Sequence, residues 1–297
     1  MSFTDKVVII TGASSGIGAA VAIKFAEEGA NVVLIARNQA KLKEVVAKCE
    51  KHGGKVLVVI ADVTKSEDIK NIIEQTINQF GKIDILVNNA GIIRTATVWD
   101  ENAMDVFDSV MATNLRSVVQ LTNLTAPHLI KTKGNVVNIS SIAAVDAMNP
   151  TFFAYCTSKA GLDQFMRSAA LDLSPKGVRV NSVNPGPVRT DFEQNFGVNK
   201  SEADSFWDKT KSWSTLDRVA EPEEIADLVL FLASDKARSV TGSSYLIDNV
   251  WDSHACIVFH CVSEVTGSPI INLPYLPISN SPKTLKYLTL KRPATHL

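Results

Sequence analysis

Thr11-Gly12-Ala13-Ser14-Ser15-Gly16-Ile17-Gly18 follows the apolar run Lys6 to Ile10 without a break and opens a helical stretch, Gly16 to Glu28. A glycine turn between a strand and a helix gathers backbone amides at a helix N-terminus, an arrangement suited to holding a phosphate group. In that setting Gly12 allows the sharp turn, Gly16 lets a pyrophosphate come close, and Gly18 lets the helix pack tightly on the strand. Ser14, Ser15 and Ile17 complete the turn and join the candidate cofactor contacts. The spacing is GxxxGxG rather than the commoner GxGxxG.

Further runs of strand length occur at Asn31 to Ala36, Lys55 to Ala61, Ile83 to Asn88, Asn135 to Ser140, Arg179 to Val183 and Ser244 to Asp248. Helical stretches such as Ser66 to Phe80, Asp163 to Leu173 and Glu221 to Ala233 lie between them. Val-Val-Ile-Ile and Val-Leu-Val-Val-Ile are apolar without alternation, which marks strands covered on both faces. The pattern predicts an α/β fold, a doubly wound parallel sheet of Rossmann-like type with seven strands, in a single domain over residues 1–248. Residues 187–217 carry Phe192, Phe196, Phe206, Trp207 and Trp213, and read either as a flap over an apolar pocket or as an extra core layer. Residues 249–297 hold five prolines and two acidic residues without a sustained helical period, so an irregular C-terminal extension is expected there.

With 45% apolar residues in 297 the chain has ample material for a core, and 30 basic against 31 acidic residues leave a net charge of -1. That balance gives no general field for nucleic acid or an anionic membrane, and neither is an expected partner. No apolar run reaches about 18 residues and no basic, apolar leader opens the chain, which reads as intracellular and cytoplasmic. Cys49, Cys156, Cys256 and Cys261 are irregularly spaced and read as free thiols. His254, Cys256, His260 and Cys261 fit no familiar zinc spacing, and no metal is expected.

Tyr155 and Lys159, four residues apart, share one helix face. An ammonium beside a phenol lowers its ordinary pKa of about 10 and lets it act as acid and base by turns. An isolated pair of this kind also occurs as an exposed helix pair; the glycine turn and the Ser140-Ser141 pair upstream favour the catalytic reading. The second strand ends at Ile35-Ala36-Arg37, where a dinucleotide enzyme reads the adenosine ribose, and no carboxylate stands there. Arg37 suits a 2'-phosphate, so NADP(H) is favoured, with NAD(H) as the alternative. Asp62 and Val63 are placed to contact adenine, although Asp62 equally suits a helix cap before Ser66. Asn88, Asn89, Ala90 and Gly91 are expected along the cofactor's path.

TGASSGIG at 11–18, DV at 62–63, NNAG at 88–91, Asn114, Ser140-Ser141, YCTSK at 155–159 and NPGPVRT at 184–190 make residues 5–248 resemble the short-chain dehydrogenase/reductase family. The resemblance implies a catalytic tetrad of Asn114, Ser141, Tyr155 and Lys159. In it Ser141 contacts the substrate carbonyl, Tyr155 delivers the proton, and Lys159 holds the nicotinamide ribose and tunes the phenol. Asn114 either fixes a water behind Lys159 or only bends its helix. Pro185 and Gly186 shape the turn from which Val188, by its backbone, and Thr190, by its hydroxyl, hold the nicotinamide carboxamide. Ile93, Met148, Phe153 and Phe192, with the Ser141 hydroxyl, form the expected substrate lining, which favours apolar ketones or secondary alcohols.

Family members pair through long helices, here around 102–131 and 155–173, so a homodimer or homotetramer is implied. The family's diglycine turn after the last strand is replaced by Leu246-Ile247-Asp248-Asn249-Val250-Trp251, and the chain from Asn249 onward reads as an alternative terminus. The expected activity is NADP(H)-dependent interconversion of an apolar ketone or aldehyde and its alcohol. A non-catalytic dinucleotide-binding sensor, or an inactive isoform with an altered C-terminus, is the alternative.

Overall fold

Seven strands, β1 (Val7–Thr11), β2 (Asn31–Ala36), β3 (Val56–Ile60), β4 (Ile85–Asn88), β5 (Asn135–Ile139), β6 (Arg179–Pro185) and β7 (Ser244–Ile247), form one sheet in the order β3-β2-β1-β4-β5-β6-β7. Every neighbouring pair is parallel. The computed structural model describes residues 2–191 and 203–250. Phe192, Phe196, the predicted extension beyond Val250, and its His254, Cys256, His260 and Cys261 lie outside the described residues.

The strands run where the unalternating apolar runs place them, because both faces are covered. Helices α1 (Gly16–Glu27), α2 (Gln39–Cys49) and α8 (Pro222–Ala233) cover one face around Phe25, Leu34, Leu42 and Leu232. Helices α3 (Ser66–Phe80), α5 (Ser117–Thr132) and α6 (Phe153–Leu173) cover the other around Ile9, Ile69, Leu121 and Met166. Burying each such large apolar side chain contributes about 1.5–3 kcal/mol relative to leaving it in water. The remaining helices are α4 (Ala103–Met111) and α7 (Ala203–Lys211); Trp207 of α7 is buried and packs edge-on to Phe206.

Local chemistry sets the helix ends. Glu67 and Asp68 occupy the first turn of α3, and Gly81 in a left-handed conformation ends it. Pro222 opens α8 behind a reciprocal capping box between Glu221 and Glu224. A π-helical turn, Ala112–Arg116, separates α4 from α5 and carries Asn114. Among the described residues no helix is long and apolar enough to cross a membrane. Strand order reverses between β1 and β4, so the crevice at the carboxyl edge of the sheet opens above these two strands.

Candidate active site and cofactor cleft

The glycine turn lies above β1, in that crevice. Gly12 takes a φ of +66°, a left-handed value that costs glycine nothing. A Cβ at Gly18 would stand 2.3 Å from the Gly12 carbonyl oxygen and 2.4 Å from Asn89 Nδ2, so only glycine lets α1 start this close to the strand. Asn89 Nδ2 donates to the Thr11 and Gly12 carbonyls at 2.9 and 3.2 Å. Thr11 Oγ1 accepts from the backbone of Asn89 and Ala90 at 2.9 and 3.0 Å, which fixes the turn against the end of β4. The Ser15 side chain makes no capping bond at α1 and no acidic residue sits in the first turn, so the leading amides are open to an anion. Ser14, Gly16 and Ile17 are half-buried on the same turn. These features fit the pyrophosphate of a dinucleotide.

On the adenosine side, Arg37 is exposed just beyond β2. Asp62 accepts from Thr64 N at 3.0 Å and from Thr64 Oγ1 at 2.8 Å, while the cap position of α3 is Lys65, so Asp62 is not the cap of that helix. The Thr64 N–H first, then its hydroxyl and the nearby Arg37 and Lys65, hold the Asp62 carboxyl below its usual range. Val63 is buried. Asn88 is turned away from the cleft: its amide donates to Asn138 Oδ1 at 2.9 Å and faces Thr122, bracing β4 against β5 and α5. A Cβ at Gly91 would lie 3.7 Å from Lys159 Nζ and 3.5 Å from Asn114 Oδ1, so this backbone runs directly past the lysine.

The catalytic candidates meet where β5 ends against the first turns of α6. Ser141 caps a short turn by accepting from Ala143 N at 3.1 Å, and its hydroxyl is hydrogen-bonded to the Tyr155 phenol. Ser140, its neighbour, is held at the strand end by a backbone bond to Val183 O of 2.8 Å. Lys159 is buried, donates to Ile139 O at 2.8 Å and lies 5.7 Å from the centre of the Tyr155 ring. Asn114 grips Ile92 through both its N–H and its C=O, each at 2.8 Å, and donates to Ser158 Oγ at 3.1 Å. Ser158 Oγ in turn donates to Tyr155 O at 2.7 Å, so the π-helical turn ties the segment after β4 to the tyrosine's own helix.

The protonation balance differs from the sequence expectation of a lowered phenol. Burial pushes Tyr155 up to about 12, and the Ser141 hydrogen bond only partly opposes it. Burial likewise pulls Lys159 down to about 8, against the field of Asp163. Removal from water disfavours both charged forms, and here it outweighs the stabilising contacts.

The turn after β6 is fixed on several sides. Pro185 ends the strand, and Gly186 N donates to Ile247 O at 3.0 Å where a Cβ would meet Asp248 at 2.8 Å. Val188 bridges to Ala220, and Thr190 Oγ1 donates to Val188 O at 3.3 Å. A Cβ at Gly16 would come within 3.0 Å of Thr190 Cγ2, so this turn closes against the glycine turn. Lys41 of α2 reaches Asp191 at 2.7 Å, joining the two sides of the crevice. Of the expected substrate lining, Ile93 is buried and Met148 half-buried. Phe153 instead stacks on Phe107 with ring centres 6.3 Å apart and planes 4° apart, in a cluster with Val106, Val110 and Ala154 that joins α4 to α6.

Thr11 and Ser158 were not among the residues the sequence singled out for the site. Each is a polar residue inside a motif already recognised, which is the signal that could have found them. Among the described residues no group of three or more His, Cys, Asp and Glu side chains gathers as a metal site, and Cys49 and Cys156 are free.

A family model described as Enoyl-(Acyl carrier protein) reductase matches residues 12–249. A 3-oxoacyl-(acyl-carrier-protein) reductase of Thermotoga maritima is 36% identical over 249 residues, covering 84% of this chain and 98% of its own length. A short-chain dehydrogenase/reductase of unknown function from Caenorhabditis elegans, solved with cofactor, superposes with a TM-score of 0.80 at 39% identity, over 85% of this chain and 98% of its own. L-sorbose reductase from Gluconobacter frateurii, solved with NADPH and L-sorbose, gives a TM-score of 0.78 at 32% identity over 85% of this chain and 98% of its own. Glycine turn, parallel sheet and relatives agree: the chain belongs to the short-chain dehydrogenase/reductase family, NAD(P)-dependent oxidoreductases acting on CH–OH groups.

Proposed function

We propose that this protein is an NADP(H)-dependent oxidoreductase that interconverts an apolar ketone or aldehyde and its alcohol by hydride transfer, with Tyr155 as general acid and base. The observation that carries the reading is the hydrogen bond between the Ser141 and Tyr155 hydroxyls beside buried Lys159. When bound, the nicotinamide supplies or accepts the hydride. The amides of Ser14 to Gly18 hold the pyrophosphate, Arg37 the 2'-phosphate, and Asp62 and Val63 the adenine. Ala90 and Gly91 pass along the cofactor, and Val188 and Thr190 hold its carboxamide.

Within the chain itself, Ser141 donates a hydrogen bond to the substrate oxygen and Tyr155 releases its proton to that oxygen. In the oxidative direction the phenolate oxygen takes the proton back. Lys159 contributes positive charge beneath the phenol, and Asn114 holds the lysine's surroundings in place. Arg37 supports the choice of NADP(H), since no carboxylate stands at the end of β2 to read an unphosphorylated ribose. Relatives named as an oxoacyl reductase and as a sorbose reductase support work on a carbonyl. Ile93, buried, and Met148, half-buried, support an apolar pocket.

Exposed Met104, Val119 and Leu171 on α4, α5 and α6 support a homodimer or homotetramer through those helices. The test is a panel of apolar and polar carbonyl compounds followed at the nicotinamide absorbance with NADPH and with NADH. NADPH consumption with apolar ketones or aldehydes is expected. Thermal stabilisation by NADPH without turnover of any carbonyl or alcohol would leave a dinucleotide-binding protein and sink the enzymatic reading.

A further inference from the structure

Asp163 lies one helical turn beyond Lys159 on α6, and the two side chains are 3% and 4% exposed. Asp163 Oδ2 accepts from Asn184 Nδ2 at 2.7 Å, and the same amide donates to Ser141 O at 3.1 Å. One asparagine of β6 thus ties the carboxylate to the backbone of the serine that bonds Tyr155. Asp163 Oδ1 has no hydrogen-bond partner among the described residues.

A buried carboxylate with a single amide donor is costly, and so is a buried ammonium. Opposite charges one turn apart on the same buried face offset each other. Among the described residues, the other elements packed around Lys159 offer only neutral groups. β5 gives the Ile139 carbonyl, the π-helical turn the Asn114 amide, the segment after β4 the Gly91 backbone, and α6 itself the Tyr155 phenol. Asp163 is the one charged group acting on the lysine among the described residues.

We propose that Asp163 is a positioning residue for the reaction: its carboxylate is the counter-charge that keeps Lys159 an ammonium beneath the Ser141–Tyr155 pair. The inference rests on the catalytic part assigned to Lys159 above. Asp163 acts through the lysine and has no contact with substrate of its own. Burial alone lowers the lysine's hold on its proton, and Asp163 opposes that fall.

The test reads the protonation midpoint of Lys159 in the cofactor-free protein, by NMR of lysine isotope-labelled at Cε, with the resonance identified by its loss in Lys159→Arg. Asp163→Asn keeps the shape and still offers Asn184 an acceptor, yet removes the charge; the midpoint should fall by about one unit or more. Asp163→Glu should recover most of the loss. In carbonyl reduction the alkaline limb of kcat/KM should move down by the same interval. An unmoved midpoint overturns the proposal even if Asp163→Asn is less stable, because lost packing leaves the titration in place.

Should Asp163→Asn fail to fold, the double variant with Lys159→Met keeps the idea testable. Paired charges predict that it resists denaturant better than either single variant, and additive losses overturn the pairing. If the midpoint moves but Lys159→Met keeps its turnover, the positioning role falls together with the catalytic reading of Lys159. That failure is recognisable because the titration arm has succeeded.

Discussion

The glycine turn after β1 and the cluster of Ser141, Tyr155 and Lys159 both line the carboxyl edge of the sheet, yet they are held by different forces. The turn contains no titratable side chain and works by shape: a left-handed Gly12, no room for a Cβ at Gly18, and Asn89 bonded to the carbonyls of Thr11 and Gly12. The cluster works by charge. Both of its titratable members are displaced by burial, and a single carboxylate opposes the displacement at Lys159. Damage to the first should therefore appear in binding and stability, and damage to the second in turnover and pH dependence.

The sharpest break in that comparison is Tyr155→Phe. Turnover should fall by about 10³-fold while cofactor affinity, measured by fluorescence titration, stays put. Unchanged turnover would remove the phenol from the chemistry. Gly18→Ala should do the reverse: its Cβ meets backbone that cannot step aside, so cofactor affinity is lost and denaturant stability drops by about 3 kcal/mol. A variant that binds cofactor and unfolds like the parent would show that the turn has slack.

Arg37→Ala is a milder probe, because the side chain is exposed; about a tenfold loss of NADPH affinity is expected with NADH unaffected. Equal losses for the two cofactors would rule out a phosphate contact. The smallest effect is with pH. Lys159, ordinarily at 10.5, is lowered to about 8, so its charge disappears as pH rises through that value, well before an exposed lysine would lose its own. Carbonyl reduction should have halved at about pH 8 and decline further above it, while binding of the adenosine half of the cofactor stays flat. A flat rate profile from roughly pH 7 to roughly pH 9 would contradict the role assigned to the lysine.

Much of the fold was legible because the signals are local. Unbroken apolar runs marked parallel strands, and β2 and α3 begin and end on the residues expected of them. The glycine turn was equally plain, since strand, turn and helix succeed one another over a short span. Asn88, Phe153 and the Tyr155 phenol were less legible. Asn88 sits in a motif that borders the cleft, but the pleat sends its amide to Asn138, a neighbour far away in sequence. Phe153 has the chemistry of a pocket residue and is taken up by Phe107. A lowered phenol was expected from the lysine one turn away, and burial by distant segments reversed it.

The sequence by itself determined the seven-stranded parallel sheet, the glycine turn between β1 and α1 and the family, because each depends on residue order over short spans and on which residues avoid water. Tertiary structure decided the electrostatics of the active site. Desolvation of Tyr155 and Lys159 and the placing of Asp163 against Asn184 arise only when α6, β5 and β6 close on one another and exclude water, a condition no local pattern records.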